Sequence, residues 1–90
     1  MRRYELNVKG LVQGVGYRAS VHKKISLLCV TGFIRNKEDR TVEIVVECYP
    51  AAIDEVVKIA RAGSHYSAVD EVTLEEKRAT GEFSSFDIVI

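Results

Sequence analysis

The stretch "YELNVKGLVQGVGYRASVHKKISLL", residues 4–28, decides the fold, because its hydrophobic period changes across a glycine-rich turn. Apolar Tyr4, Leu6 and Val8 alternate with polar residues, which is the period-two pattern of a strand. Val21, Ile25 and Leu28 then recur on one helix face. We therefore predict a strand, a turn at residues 10–18 and a helix over residues 18–28.

The rest of the chain repeats this change of period. Further strands are predicted at residues 30–36, 42–48, 72–75 and 86–90. The segment "KEDR", residues 37–40, is typical of a hairpin turn between the second and third strands. Pro50 suits the first turn of a second helix, and Gly63 suits its end.

The element order is therefore β-α-β-β-α-β plus a short C-terminal strand. Two βαβ units of this kind predict an α+β fold, the ferredoxin-like sandwich, with two helices on one face of a mainly antiparallel sheet. We expect the other face to carry charged side chains in water. The 90 residues suffice for one hydrophobic core, so we predict a single domain over residues 1–90.

Composition disfavours two broad classes of partner. Thirteen basic and thirteen acidic residues give zero formal charge, which disfavours a nucleic-acid or membrane partner. The N-terminus lacks the apolar core of a signal peptide, so we expect a cytoplasmic protein. We also expect a monomer. Cys29 and Cys48 are expected to be reduced, and His22 and His65 to be solvated. No metal-ligand spacing is present and no cofactor motif is complete, so we predict no metal and no cofactor.

The glycine-rich turn has the features of an anion site. Backbone N–H groups of a first helical turn lack internal partners, and glycines let successive N–H groups point into one concavity. Arg18 adds a charged fork that matches a phosphoryl group. The turn holds no cysteine nucleophile and lacks the Lys-Ser/Thr ending of a Walker A loop. A dinucleotide GxGxxA match at residues 14–19 is weak in so short a chain, and an ordinary tight turn stays open.

Two sequence blocks resemble the acylphosphatase family. The block "GLVQGVGYR", residues 10–18, is similar to that family's Gly-x-Val-Gln-Gly-Val-x-Phe-Arg signature, with Tyr17 in place of the usual Phe. The block "GFIRN", residues 32–36, resembles its Gly-aromatic-Val-x-Asn block at the family's spacing. The segments "SAVDEV" (67–72) and "TGEFSSFDIVI" (80–90) resemble its last two strands, so the resemblance covers the whole chain.

The resemblance implies a fold, a reaction and a site. The fold is again the ferredoxin-like sandwich, and the reaction is hydrolysis of the carboxyl-phosphate bond of acyl phosphates to a carboxylate and inorganic phosphate. Arg18 would bind the phosphoryl group, Asn36 would position the attacking water, and the phosphate itself would accept the water's proton. The phosphate-binding loop would comprise Gln13, Gly14, Val15, Gly16, Tyr17 and Arg18. The alternative is a non-catalytic small-anion-binding or regulatory module on the same fold.

Three turn positions depart from the family pattern. Cys29, Arg40 and Cys48 stand where the family often has glycine. Helix ends and tight turns commonly need positive φ, which glycine adopts without strain. We therefore expect Cys29 and Arg40 to hold left-handed backbone at a cost of about 1 kcal/mol each.

Overall fold

A computed structural model describes residues 1–90, and it contains the predicted elements in the predicted order. The elements are β1 (Arg2–Leu11), α1 (Tyr17–Ile25), β2 (Thr31–Asn36), β3 (Val42–Cys48), a one-turn 3-10 helix (Pro50–Ala52), α2 (Ile53–Ala62), β4 (Ala68–Arg78) and β5 (Phe86–Val89). The short 3-10 turn begins at Pro50, so the proline lies just before α2 rather than within it.

The five strands form one sheet in the order β4-β1-β3-β2-β5. Three of the four strand pairs are antiparallel, and only β2 and β5 run parallel. Strands β1 and β3 lie inside the sheet and pair directly from Arg2–Cys48 to Val8–Val42. The predicted fold class, a ferredoxin-like sandwich with a mainly antiparallel sheet, is confirmed.

The hydrophobic core lies between the sheet and the two helices. Alternate residues of β1 and β3 point into it, as the period-two pattern predicts. The helices close it with Tyr17, Val21 and Ile25 from α1 and with Val56, Ile59 and Ala60 from α2. One cluster of 17 buried residues runs from Tyr4 to Phe86, so elements from both ends of the chain share this core.

Helix α1 is shorter than predicted. It ends at Ile25, where the Ser26 backbone N–H and the Ser26 hydroxyl both donate to the carbonyl of His22. Leu28 still packs against the core, but it does so from the turn after the helix. The helical spacing of Val21 and Leu28 therefore predicts the burial of Leu28 correctly, but it places the end of the helix wrongly.

His22 is not the solvated residue that its isolation in the sequence predicts. Its ring stacks on Phe86 with centroids 5.6 Å apart and is half-buried. Its Nε2 lies 2.9 Å from the Phe86 carbonyl oxygen, and because a carbonyl only accepts, Nε2 carries a proton there. His22 therefore ties α1 to β5, whereas His65 is exposed as predicted.

The sheet face opposite the helices is less polar and less exposed than predicted. Val45 and Glu47 on β3 are both buried. The segment between β4 and β5, residues 79–85, covers this end of the face, and its Phe83 packs edge-on against Phe33 with ring centroids 5.8 Å apart. Arg3 lies over the Phe83 ring and pairs with Glu82 at 2.7 Å.

Glu47 holds this covering segment in place. Its carboxylate accepts hydrogen bonds from the Thr80 N–H at 2.8 Å, the Thr80 hydroxyl at 2.9 Å and the Gly81 N–H at 2.9 Å. Burial by itself would raise the pKa of the Glu47 carboxyl. The three hydrogen bonds and the nearby Arg3 outweigh burial and hold that pKa below its ordinary value of 4.5.

We expect Glu47→Gln to lower the free energy of unfolding by about 1.5–3 kcal/mol, the usual range for hydrogen bonds to a charged group. Because folding lowers the pKa of Glu47, its ionised carboxylate stabilises the folded chain at pH values above the ordinary pKa. This contribution is lost as the pH falls through the folded-state pKa. Urea unfolding of the parent and of Glu47→Gln across acidic pH measures both effects. The parent should lose stability more steeply than Glu47→Gln, and the exposed control Glu71→Gln should follow the parent. Equal stability of parent and Glu47→Gln at neutral pH would contradict this role.

Of the two turn residues expected at positive φ, only Arg40 has it. Arg40 has φ 75°, and it is the only non-glycine residue of the chain with positive φ. The prediction for Cys29 is wrong, because α1 ends three residues earlier on a right-handed Ser26. Cys29 lies exposed in the following turn, and Cys48 is buried in the core; both are free thiols.

Arg40→Gly and Cys29→Gly should therefore change stability in opposite directions. Arg40→Gly relieves the left-handed strain of an exposed residue and should raise the free energy of unfolding by up to about 1 kcal/mol. Cys29→Gly relieves no strain and adds unfolded-state entropy, so it should lower that energy by about 0.4–1 kcal/mol. Urea unfolding of the two single variants measures the pair, and a destabilised Arg40→Gly would contradict the strained-turn account.

No helix of the chain is both long enough and apolar enough to cross a membrane.

Candidate active site

The turn between β1 and α1 depends on the backbone conformation of two glycines. Gly14 and Gly16 both have φ 76°, in the left-handed region. A Cβ built at either position meets no atom within 4 Å, so the glycines are required by the backbone angle and not by lack of space. Gly16 is also the N-cap of α1, so the left-handed pair leads the chain directly into the first helical turn.

The turn presents unpaired donors and one cation. The backbone N–H groups of Gly14, Val15 and Gly16 donate to no group of the chain, and those of the first turn of α1 have no intrahelical acceptor. That first turn contains no acidic residue. Arg18 is half-buried, and its Nη1 lies 3.4 Å from the Val89 carbonyl oxygen on β5. The helix N-terminus and Arg18 therefore combine to favour an anion here.

Asn36 reaches the same place from β2. It is the last residue of β2, paired with Val42 at the start of β3. Its Oδ1 is buried and has no hydrogen-bond partner within the chain. A buried amide oxygen without a partner is costly in a folded chain, and this one is available to accept a hydrogen bond from a group that enters the pocket.

These residues line one small pocket of about 180 Å³. Its lining comprises Val12, Gly14, Gly16, Tyr17, Arg18, Ala19 and Asn36. Arg18 is the one charged residue of this lining, and no carboxylate contributes. No three acidic, histidine or cysteine side chains lie together in a way that could hold a metal ion.

Gln13 and Val15 belong to the turn but not to the pocket lining. The Gln13 Nε2 donates to the carbonyls of Lys37 at 2.8 Å and Thr41 at 2.9 Å. Those two residues close the hairpin that follows Asn36, because the Lys37 N–H donates to the Thr41 carbonyl at 2.9 Å. Gln13 thus holds the turn against the hairpin that carries Asn36. Val15 packs against the hydrophobic core.

Tyr17 is mainly a core residue. It is 1% exposed, and its hydroxyl donates to the Ala60 carbonyl of α2 at 2.7 Å. Burial raises the pKa of this phenol, so the hydroxyl stays protonated and keeps donating. Tyr17 therefore fixes the first turn of α1 against α2, and the hydroxyl that distinguishes it from Phe has a partner of its own.

Sequence pattern did not single out one residue that lies beside the turn, Ser64. The Ser64 hydroxyl, in the segment after α2, donates to the Val15 carbonyl at 2.9 Å. The two residues are 49 positions apart, so local pattern could not have paired them. The only signal available was a serine directly after the glycine that ends α2.

Together these observations define a ferredoxin-like protein with a small pocket at the β1–α1 turn that has the features of an anion site, and with an amide side chain facing it. Comparisons with known proteins agree with this class. The family model for acylphosphatase matches residues 4–88. An acylphosphatase from Marinobacter nauticus is 42% identical over 86 residues, covering 96% of this chain and 94% of its own. One from Methylococcus capsulatus is 38% identical over 89 residues, covering 99% and 97%.

A solved structure gives the same result. The crystal structure of acylphosphatase from Bacillus subtilis superposes with a TM-score of 0.94 at 32% identity, covering 100% of both chains. This chain therefore belongs to the acylphosphatase family. The resemblance of the two sequence blocks, the fold class and the enzyme class are confirmed.

Proposed function

We propose that this protein hydrolyses acyl phosphates by direct attack of water on phosphorus, with Arg18 and Asn36 as its catalytic residues. One observation carries the proposal: a single pocket is lined by the left-handed glycines, by Arg18 and by an asparagine whose buried Oδ1 has no partner in the chain. The first two features suit a phosphoryl group, and the third suits a water molecule beside it.

The turn and Arg18 supply the charge stabilisation. In phosphoryl transfer, negative charge spreads over the equatorial oxygens, and catalysis comes mainly from positioning and electrostatics. The unpaired N–H groups of the turn and the Arg18 guanidinium are oriented before the substrate arrives, so little reorganisation is needed during the reaction. The carboxylate is already a good leaving group, so the proposal assigns no step to a metal, a cofactor or a general base.

Asn36 positions the nucleophile. Its Oδ1 accepts a hydrogen bond from the water, which directs the water oxygen toward phosphorus. The bond from water oxygen to phosphorus forms as the bond from phosphorus to the carboxyl oxygen breaks. The carboxylate leaves with the electron pair, and the proton of the water passes to the phosphate.

The surface next to Asn36 offers space for the acyl part of the substrate. Asn36 also lines a wider, open depression with Arg35, Lys37, Glu38 and Asp39. None of these side chains is apolar, so a carboxylate leaving on this side passes directly into a polar, solvated environment. We place the acyl part of the substrate over this depression.

The alternative is a module of the same fold that binds a small anion without turnover. The unpartnered Asn36 Oδ1 favours the enzyme, because this oxygen is an acceptor and suits the O–H of a water, whereas the Nδ2 donor of the same amide would suit either function. As part of the proposal, the protein acts on a small-molecule substrate as a cytoplasmic monomer, with no nucleic-acid or membrane partner.

Release of phosphate from benzoyl phosphate tests the function. We expect turnover above the spontaneous rate, unchanged by a chelator. Phosphate binding with no turnover would instead support the binding module. Loss of activity on chelation, restored by a divalent ion, would contradict the proposed mechanism.

A further inference from the structure

We propose that Ser64 is a positioning residue for the phosphate pocket, acting through the Val15–Gly16 peptide. The inference rests on the proposed function and extends it to a residue outside the turn. Ser64 does not line the pocket. Its hydroxyl donates to the Val15 carbonyl at 2.9 Å and so fixes the plane of that peptide.

Peptide geometry carries this effect to the pocket. The chain has no cis peptide bonds, and in a trans peptide the C=O and the N–H point in opposite directions. With the Val15 carbonyl held by Ser64, the Gly16 N–H points away from Ser64. Gly16 lines the pocket, and its N–H has no partner in the chain. The Ser64 bond therefore selects the peptide orientation that turns this donor to the pocket.

The peptide needs such a restraint. Left-handed glycines flank Val15 on both sides, and glycine tolerates either sign of φ. A peptide next to Gly16 can therefore flip at small cost, which would turn a carbonyl oxygen toward the bound anion. Apart from the Ser64 bond, no hydrogen bond within the chain holds the Val15–Gly16 peptide.

Ser64 is itself firmly held. Its N–H donates to the Ser67 hydroxyl oxygen at 2.8 Å, and its carbonyl accepts from that hydroxyl at 3.0 Å. The Ser67 N–H also donates to the Ser64 carbonyl at 3.3 Å. The turn at residues 64–67 thus presents the Ser64 hydroxyl in one position. It acts on the side of the loop near α2, while Gln13 acts on the hairpin side.

The test is an inorganic phosphate titration followed by the Gly16 amide NMR signal, together with steady-state kinetics on benzoyl phosphate. For Ser64→Ala we expect about 3- to 10-fold weaker phosphate affinity, a matching rise in KM and a smaller change in kcat. Ser64→Thr keeps the hydroxyl and should bind phosphate like the parent. Ser20→Ala removes a neighbouring hydroxyl that contacts Gly63 and not the loop, and it should also match the parent.

The outcomes separate this inference from the proposed function. If Ser64→Ala melts at a lower temperature but binds phosphate as the parent does, Ser64 is only structural and the inference is wrong. Should Ser64→Ala fail to fold, Ser64→Cys keeps the size with a weaker donor and must still weaken phosphate binding. If the parent binds phosphate and Ser64→Ala weakens that binding, but the parent hydrolyses no acyl phosphate, the inference stands and the proposed function fails. A parent that binds no phosphate overturns both.

Discussion

Arg18→Ala should lower kcat/KM for benzoyl phosphate by about 10²- to 10³-fold and weaken inhibition by inorganic phosphate as well. Activity and phosphate affinity are both reduced because Arg18 is the one charged side chain lining the pocket. It therefore serves the bound phosphoryl group and the transition state alike. Steady-state kinetics with phosphate as competitor measures both quantities. Arg18→Lys keeps the charge but not the planar fork, and it should recover only part of the loss.

Lys23→Ala is the matched control for Arg18→Ala. Lys23 is an exposed cation on the same helix and does not line the pocket. The Lys23→Ala substitution removes the same net charge as Arg18→Ala, so it reports any effect of overall charge on the attraction of the substrate. The role assigned to Arg18 fails if Lys23→Ala loses as much activity as Arg18→Ala, or if Arg18→Ala still binds phosphate normally.

Asn36→Ala should lower kcat by about 10²-fold while leaving phosphate affinity close to that of the parent. Asn36 serves the water and not the phosphoryl group, so the variant should separate turnover from binding. Its Oδ1 has no partner in the chain, so the variant breaks no hydrogen bond at this atom and should not melt at a lower temperature on that account. Steady-state kinetics on the folded variant gives kcat, and a phosphate titration gives the phosphate affinity.

Asn36→Asp sharpens this comparison, because it keeps the shape and adds a negative charge beside the anion. It should lose phosphate affinity as well as turnover, by the repulsion of like charges in one small pocket. An Asn36→Ala variant with near-normal kcat would remove Asn36 from the mechanism. Equal phosphate affinity of Asn36→Asp and Asn36→Ala would mean that residue 36 does not face the bound phosphate.

Local pattern predicted the parts of the fold whose hydrophobic period is strong. The alternation in β1 and β3 reflects side chains that alternate between the core and the opposite face, so these strands were found directly. Strand β4 was predicted as four residues and spans eleven, because an edge strand rich in charged residues carries little apolar signal. The buried Glu47 was missed because its partners, Thr80 and Gly81, lie more than 30 residues away.

The candidate site also contains residues that local sequence predicts and residues that it does not. The glycines and Arg18 could be predicted, since a strand–turn–helix with left-handed glycines follows from neighbouring residues. Asn36 entered through the resemblance to a family, because the sequence alone offered an ordinary turn asparagine. The anchoring roles of Gln13 and Ser64 depend on bonds to distant carbonyls, which no local spacing encodes.

Hydrolysis of benzoyl phosphate in ¹⁸O-labelled water tests the central claim most directly, because it reports which atom the water attacks. The products are separated, and mass spectrometry locates the solvent oxygen. Attack at phosphorus, with the phosphoryl group held by Arg18 and the turn, predicts one solvent oxygen in the inorganic phosphate and none in the benzoate. Label in the benzoate would mean attack at the carbonyl carbon and would contradict the account, as would the absence of any hydrolysis above the spontaneous rate.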